Sequence, residues 1–311
     1  MNINKKLNDF YKIAEHTETP PIPNKLLFEI SNICNHKCVF CAYKDMSRPK
    51  GVVDPQLFRN IVTQAYSLGV REIGLHSGAE PFVCKELEEH IEYCHKIGFG
   101  YIYLSTNGSL ATKERIVNVI KAGLHSIKFS LNAGTREIYK TVHGKDHFEK
   151  VCELILFTSE YRKKLNRPFY LALSFVEVDE NKDSFNDLCK LFEPVVDEIL
   201  HFKANNQSGQ IRKYPPFIHV QNIKCPIPFK QINVSREGYL RVCCNDYDNM
   251  LAIEDLNKLS LKTAWNSQRF NSFRKKILSN ELNNTLCFNC MMGGGGKVKP
   301  LNNELCNFSL I

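Results

Sequence analysis

Between residues 25 and 203, short apolar, β-branched runs alternate with longer stretches whose apolar positions recur at helical spacing. The runs predict strands at Leu26 to Ser31, Glu72 to His76, Tyr101 to Thr106, Ser126 to Leu131, Phe169 to Val176 and Glu198 to Lys203. Helices are predicted between them at Pro55 to Leu68, Lys85 to Ile97, Thr112 to Ala122, Phe148 to Lys164 and Ser184 to Phe192. Asp54-Pro55 supplies an N-cap followed by a proline preset for the first turn, and Gly69, Gly98 and Gly123 stand where helices should stop. Six strands with helical crossovers predict an α/β fold around a parallel sheet. Periodicity alone does not separate a partial barrel from a doubly wound sheet.

After Lys203 the alternation breaks into Asn-Asn-Gln-Ser-Gly and Tyr-Pro-Pro, a turn-rich composition that predicts a linker or substrate-facing loop. Beyond it come a hairpin (Gln231 to Val234 and Tyr239 to Val242), a helix (Leu261 to Ser279) and a glycine-rich tail, Gly293 to Gly296. The expected organisation is an extension over 1–24, the main α/β unit over 25–204, a linker over 205–224 and a small cysteine-rich domain over 225–311.

A chain of 311 residues, 43% hydrophobic, has room for one large domain and one small one. Its apolar runs are too short to span a bilayer and its N-terminus lacks a signal-peptide core, so a soluble cytoplasmic protein without a membrane partner is expected. The formal charge of +8 raises nucleic acid as a partner. Lysines and asparagines are scattered, however, and no arginine-rich patch interleaved with aromatics stands out, so the charge reads as solvated surface.

Chemistry enters with Cys34, Cys38 and Cys41, spaced Cys-x3-Cys-x2-Cys just past the first strand. Structural zinc takes four protein ligands, and no fourth Cys or His lies at a usual offset, His36 being too close to its neighbours. A disulfide framework suits small secreted chains, which this is not. Three thiolates on a [4Fe-4S] cluster leave one iron open. A second set, Cys225-x17-Cys243 and Cys287-x2-Cys290, fits four-thiolate ligation of another cluster better than a zinc ribbon, which needs two close pairs. Cys84, Cys94, Cys152 and Cys189 fall in or beside helices and read as core residues. Ser77-Gly78-Ala79-Glu80-Pro81, Ser105-Thr106-Asn107-Gly108 and Ser130-Leu131-Asn132 follow three successive strands at the end where parallel sheets bind ligands. Each is also ordinary turn chemistry.

Together these residues resemble the radical S-adenosylmethionine (SAM) enzymes. Cys34-Asn-His-Lys-Cys38-Val-Phe40-Cys41 is similar to the family signature, including the aromatic before the last cysteine. The resemblance implies a partial (β/α)6 TIM-like barrel whose open iron holds SAM and cleaves it to a 5'-deoxyadenosyl radical. It implies SAM contacts at Phe40, Gly78, Ala79, Glu80, Pro81, Asn107, Ser130 and Asn132, with Ala79 standing where the family has a second glycine. Cys225-Pro226, Gly238, Asp246, Trp265-Asn266-Ser267 and Arg274 resemble the family's SPASM/Twitch extension. With only Cys244 and Cys306 to spare, the shorter Twitch form with one auxiliary [4Fe-4S] cluster on Cys225, Cys243, Cys287 and Cys290 is the better match.

The Cys225-x17-Cys243 spacing is similar to that of a Twitch dehydrogenase acting on an amino-cyclitol. This implies oxidation of a secondary alcohol of a sugar, aminosugar or cyclitol to a ketone, with the auxiliary cluster as electron acceptor and a flavodoxin or ferredoxin as donor. Lys203, Arg212 and His76 are positional candidates for the base. Epimerisation with a hydrogen atom returned by Cys306 or Cys244 is an alternative. Peptide modification is another, although the stretch before the first strand is short for a leader-binding domain. A non-enzymatic zinc module would leave the first cysteine motif without a role.

Overall fold

The computed structural model describes residues 2–12, 16–216, 225–293 and 296–306. Residues 217–224 of the expected linker, 294–295 of the glycine tail and the terminal 307–311 lie outside them. In chain order the first part contains α1 (Ile3–Tyr11), β1 (Lys25–Phe28), α2 (Pro55–Ser67), β2 (Glu72–Gly74), α3 (Leu87–Ile97), β3 (Tyr101–Thr106), α4 (Lys113–Lys121) and β4 (Ser126–Ser130). It continues through α5 (Arg136–His143), α6 (Phe148–Arg162), β5 (Tyr170–Glu177), α7 (Phe185–Phe192) and β6 (Glu198–Lys203). The C-terminal part holds α8 (Ile227–Lys230), β7 (Ile232–Val234), β8 (Tyr239–Arg241), β9 (Ala252–Asp255), α9 (Leu261–Trp265), α10 (Gln268–Ser279) and α11 (Leu286–Met292).

The six predicted strands pair in parallel in chain order, β1 to β6, forming an open, partial (β/α)6 barrel. Alternation sorts their side chains. On β4, Ile127 and Phe129 are buried beneath the helices, while Lys128 and Ser130 face the lumen, as Tyr103 and Ser105 do on β3. Phe28 packs on Phe58 of α2 with ring centroids 5.1 Å apart, a burial that contributes about 1.5–3 kcal/mol per such side chain.

The C-terminal hairpin is not set apart from this sheet. β7 pairs in parallel with β1, Leu26 to Ile232 and Phe28 to Val234, so one nine-stranded sheet runs β6-β5-β4-β3-β2-β1-β7-β8-β9. Within the expected extension, α1 crosses the N-terminal end of the barrel. Its first amides, Ile3 N and Asn4 N, donate to the Glu198 carboxylate at 2.7 and 2.9 Å, a negative charge where a helix N-terminus favours one. The helix expected over Leu261 to Ser279 is two. Ser267 caps α10 by accepting from Phe270 N, and Arg274 donates to the Trp265 carbonyl that α9 leaves open.

A buried ion-pair network reinforces the junction between the two parts. The Arg48 guanidinium donates to Glu29 at 2.8 Å, to Glu237 at 2.8 Å and to the Tyr247 carbonyl at 2.5 Å. Asp248 accepts from Ser47 N and Arg48 N, and Arg241 donates to the Asp246 carbonyl. Arg48 and Glu29 are 2% and 3% exposed, so removing one strands the other's charge in a dry site. Arg48→Ala is expected to lose roughly 3–5 kcal/mol of unfolding free energy in urea titrations. A loss below about 1 kcal/mol would show that this cluster behaves as an exposed ion pair does.

Candidate active site

The segment leaving β1 carries the first three cysteines across the C-terminal rim of the barrel. Its conformation is held from several sides: Cys34 N donates to the Tyr43 hydroxyl at 2.8 Å, Val39 N to Val142 O of α5, and Ala42 N to Gln207 Oε1. His143, also on α5, bonds the Leu131 carbonyl through Nε2 at 2.9 Å and faces the Cys38 sulfur through Nδ1 at 3.1 Å. Burial pushes the Cys34 thiol up to about 12 and raises Cys38 and Cys41 as well. Three thiolates in so dry a place need a cationic occupant to be stable.

Beside them is a cavity of about 300 Å³. Phe40, Gly78, Ala79, Glu80, Asn107, Ser130 and Asn132 all line it, as do Cys34, Cys38 and Cys41. Pro81 lies behind that wall, buried at the start of a 3₁₀ turn. Glu80 is 1% exposed and accepts from Thr106 Oγ1 at 2.6 Å, Asn107 N at 2.7 Å and Phe82 N at 3.0 Å. These donors oppose the burial that raises its carboxyl to about 6. Glu80 thus organises the β2 and β3 ends, with less capacity left for a ligand ammonium than the sequence suggests. The Asn107 side chain is similarly engaged, by Asn35 and Ser109. Asn132 adopts a left-handed backbone (φ 54°), and its side-chain oxygen accepts from Val176 N. The Ser130 hydroxyl sits 3.5 Å from that of Ser105 and 3.4 Å from that of Ser174, forming a polar band across three strands.

Tyr247 from the C-terminal part closes this wall. Its ring lies where a Cβ on Gly78 would approach to 2.5 Å, and its hydroxyl donates to Gln207 Oε1 at 3.1 Å and lies 3.5 Å from the Cys41 sulfur. Gly78 is required by this neighbour as much as by a ligand.

The second set of cysteines lines a cavity of about 540 Å³, where Cys225, Cys243, Cys287 and Cys290 are joined by Cys244. Burial pushes the Cys225 thiol up to about 12 and raises Cys287, whereas a hydrogen bond from Cys243 lowers Cys244 to about 7. None of the thirteen cysteines is held in a disulfide. Among the described residues, the trio of ligand atoms lying within 4.8 Å of one another is His36, Cys38 and His143; neither cysteine set gathers so tightly. A single zinc ion, with Zn–S near 2.3 Å, would draw sulfurs to about 3.8 Å of one another. The wider spacing fits a cluster, which separates its thiolates further.

A third cavity, of about 550 Å³, fills the lumen between α1 and the strands. Lys128 lines all three cavities; His76 lines the lumen and the cavity at the rim, and Cys244 the lumen and the C-terminal cavity. Burial, with Lys128 and Lys25 nearby, lowers the His76 imidazole to about 3, so it stays neutral. Lys203 and Arg212 are exposed and line none of the three. Cys306 is buried elsewhere, with Met250 Sδ 3.3 Å from its sulfur. Of the residues the sequence reading passed over, Lys128 had a signal: a charge inside an apolar strand, in phase with Ser126 and Ser130. His143 had one too, since Thr135 and Gly144 bracket a helix. Tyr247 had none, because its contact with Gly78 joins distant segments.

Residues 28–174 match the radical SAM superfamily, and residues 225–291 match the iron-sulfur cluster-binding domain known as SPASM. The chain carries a radical SAM domain, a kind that binds SAM and a [4Fe-4S] cluster, and a C-terminal SPASM-type domain, a kind that binds auxiliary iron-sulfur clusters. Among sequence relatives, a probable GTP 3',8-cyclase of Methanothermobacter marburgensis is 32% identical over 126 residues, 40% of this chain and 41% of that protein. An uncharacterised protein of Methanocaldococcus jannaschii is 26% identical over 72% of this chain and 76% of its own length. Among solved structures, BtrN in complex with AdoMet and 2-DOIA aligns with a TM-score of 0.62 at 19% identity, covering 87% of this chain and 94% of that one. Streptococcus suis SuiB bound to precursor peptide SuiA aligns at 0.68 with 13% identity, covering 86% of this chain and 68% of that one. At such identities these likenesses establish the fold. No helix among the described residues is long and apolar enough to cross a membrane.

Gly78→Ala is expected to weaken SAM binding about tenfold in equilibrium dialysis of the reconstituted protein, because the methyl and the Tyr247 ring compete for one space. Gly78→Ala/Tyr247→Leu should recover most of the loss. Unchanged binding by the single variant would show that this wall yields freely.

Proposed function

We propose that the protein is a radical SAM dehydrogenase that oxidises a secondary alcohol of a sugar, aminosugar or cyclitol to a ketone. The observation that carries this reading is that the cavities beside the two cysteine sets both share lining residues with the lumen cavity, Lys128 being common to all three. When bound, the cluster and SAM at the first set would supply a 5'-deoxyadenosyl radical, and the cluster at the second would supply an electron acceptor.

The protein's own groups do the rest. Cys34, Cys38 and Cys41 ligate the first cluster and Cys225, Cys243, Cys287 and Cys290 the second. The Ser77 to Glu80 turn, Asn107, Ser130 and Asn132 cradle SAM, with Glu80 fixing the turn and Phe40 covering the rim. Ser105, Ser126 and Tyr101 offer hydroxyls along the lumen, suited to a polyhydroxylated ligand. α1 covers the lumen from the N-terminal end and limits entry of water. A cytoplasmic flavodoxin or ferredoxin would supply electrons. The chain spans 41% of the probable GTP 3',8-cyclase it matches, so GTP belongs in the substrate panel.

One observation favours a second reading. Cys244 faces the lumen beside the second cysteine set, where a thiol could return a hydrogen atom and make the reaction an epimerisation. Cys306, packed elsewhere, does not share this position. The product separates the two: dehydrogenation removes two hydrogens, while epimerisation leaves the mass unchanged in ordinary water and incorporates deuterium in heavy water.

Cys290→Ala is expected to retain SAM cleavage to 5'-deoxyadenosine and to lose ketone formation by at least about 100-fold, measured by mass spectrometry over a panel of sugars, aminosugars, cyclitols and GTP. Retained oxidation in that variant would refute the acceptor role of the second cluster.

A further inference from the structure

The centre of β4 carries a lysine that the fold does not neutralise. Among the described residues, no hydrogen bond or ion pair engages the Lys128 amine, and its nearest ring, Phe202 on β6, lies 6.0 Å away. The strand alternation that buries Ile127 and Phe129 against the helices turns Lys128 to the lumen, opposite Ser105 on β3 and Ala172 on β5. Lys128 is half-buried, and open space rather than a partner side chain lies in front of it: it lines all three cavities.

We infer that Lys128 is the catalytic base of the alcohol oxidation, accepting the substrate hydroxyl proton on its Nζ between the two cluster sites. This rests on the dehydrogenase reading above. The balance is complete: the carbinol hydrogen leaves as an atom to the 5'-deoxyadenosyl radical, the hydroxyl proton goes to Lys128 and the remaining electron to the auxiliary cluster. One C–H and one O–H bond break, and a C=O bond results.

The surroundings suit the task. Burial, with Lys25 nearby, lowers the Lys128 amine to about 8, so a substantial neutral fraction is available near physiological pH. The titratable groups facing the same space do less well. β1 contributes Lys25, whose amine burial also lowers but which, like Lys6 and Asp9 of α1 and Lys230 of α8, lines the lumen and neither cysteine cavity. β2 brings Glu72 and, just beyond it, His76, whose imidazole at about 3 cannot hold a proton. Burial raises Tyr103 of β3 and Tyr11 of α1, so both stay protonated. The Cys244 sulfur, lowered to about 7, takes a hydrogen bond from Cys243. β5 and β6 present Val176 and Phe202, which carry no charge.

Two readouts test this on the reconstituted enzyme, one independent of turnover. Competitive acetylation with acetic anhydride across pH 6–10, read by peptide mass spectrometry against exposed Lys121, should give Lys128 a midpoint near 8. A midpoint at the ordinary lysine value of about 10.4 overturns the inference. In turnover, wild-type ketone formation should rise with pH through about 8 as the amine loses its proton. Lys128→Ala and Lys128→Arg should both lose ketone formation by roughly 100-fold or more while still cleaving SAM, because a guanidinium keeps the charge but cannot accept a proton. Ketone formation within threefold of wild type in Lys128→Arg overturns the base assignment and leaves the dehydrogenase reading standing. Absence of ketone from wild type, with substrate turned over to another product, overturns both.

Discussion

The parallel hydrogen bonds between β1 and β7 decide where everything else stands. β1 is paired on both edges, to β2 through Lys25 to Leu27 and to β7 through Leu26 to Phe28, so it is the seam between the barrel and the C-terminal hairpin. The first cysteine segment leaves from its C-terminal end; Cys225 precedes β7 and Cys243 follows β8 closely. Pairing these strands in one register therefore fixes both cysteine sets relative to one lumen. Arg48 reinforces the seam by binding Glu29, just beyond β1, and Glu237 and Tyr247 from the hairpin and its following loop. A displacement at this junction would be felt at Gly78 through Tyr247, since no space is left between them.

Two opposed electrostatic demands are met in this frame. The cysteines need a dry environment in which an iron centre is a better partner than a proton, and burial raises all three thiols of the first set accordingly. The substrate space needs polarity, and the inward positions of β3, β4 and β5 provide hydroxyls and one unpaired amine. Strand alternation reconciles them, because the same strands bury apolar residues outside and present polar ones inside. The cost is visible at His76 and Lys128, two basic groups that burial pushes towards neutrality.

The barrel was legible in the chain because its signals are local. Strand alternation, the Asp54-Pro55 start and the glycine stops mark elements from neighbouring residues alone, and the motifs at the strand ends followed. What was hidden depended on long-range contact. The pairing of β7 with β1 joins residues about two hundred positions apart, so the hairpin read as a separate unit. The long C-terminal helix read as continuous because Ser267 looks like any surface serine until its hydroxyl is seen capping α10. α1 is amphipathic but short, and none of its residues is buried, so its sequence alone does not say that it lies across the barrel. Lys203 and Arg212 looked suitable as bases because they follow a strand end, yet they point to solvent. Lys128 is a lone charge within an apolar strand, and only the assembled barrel shows that its side of β4 faces the lumen.

The proposed oxidation needs two iron-sulfur centres, one at each cysteine set, and metal content tests that most directly. Iron, acid-labile sulfide and zinc should be measured in protein reconstituted anaerobically, for wild type and for Cys34→Ala/Cys38→Ala/Cys41→Ala. Wild type should carry about eight irons per chain, falling to about four in the variant, with matching sulfide and negligible zinc. About four irons falling to none, with one zinc retained, would make the C-terminal cysteines a structural site and remove the electron acceptor from the chamber.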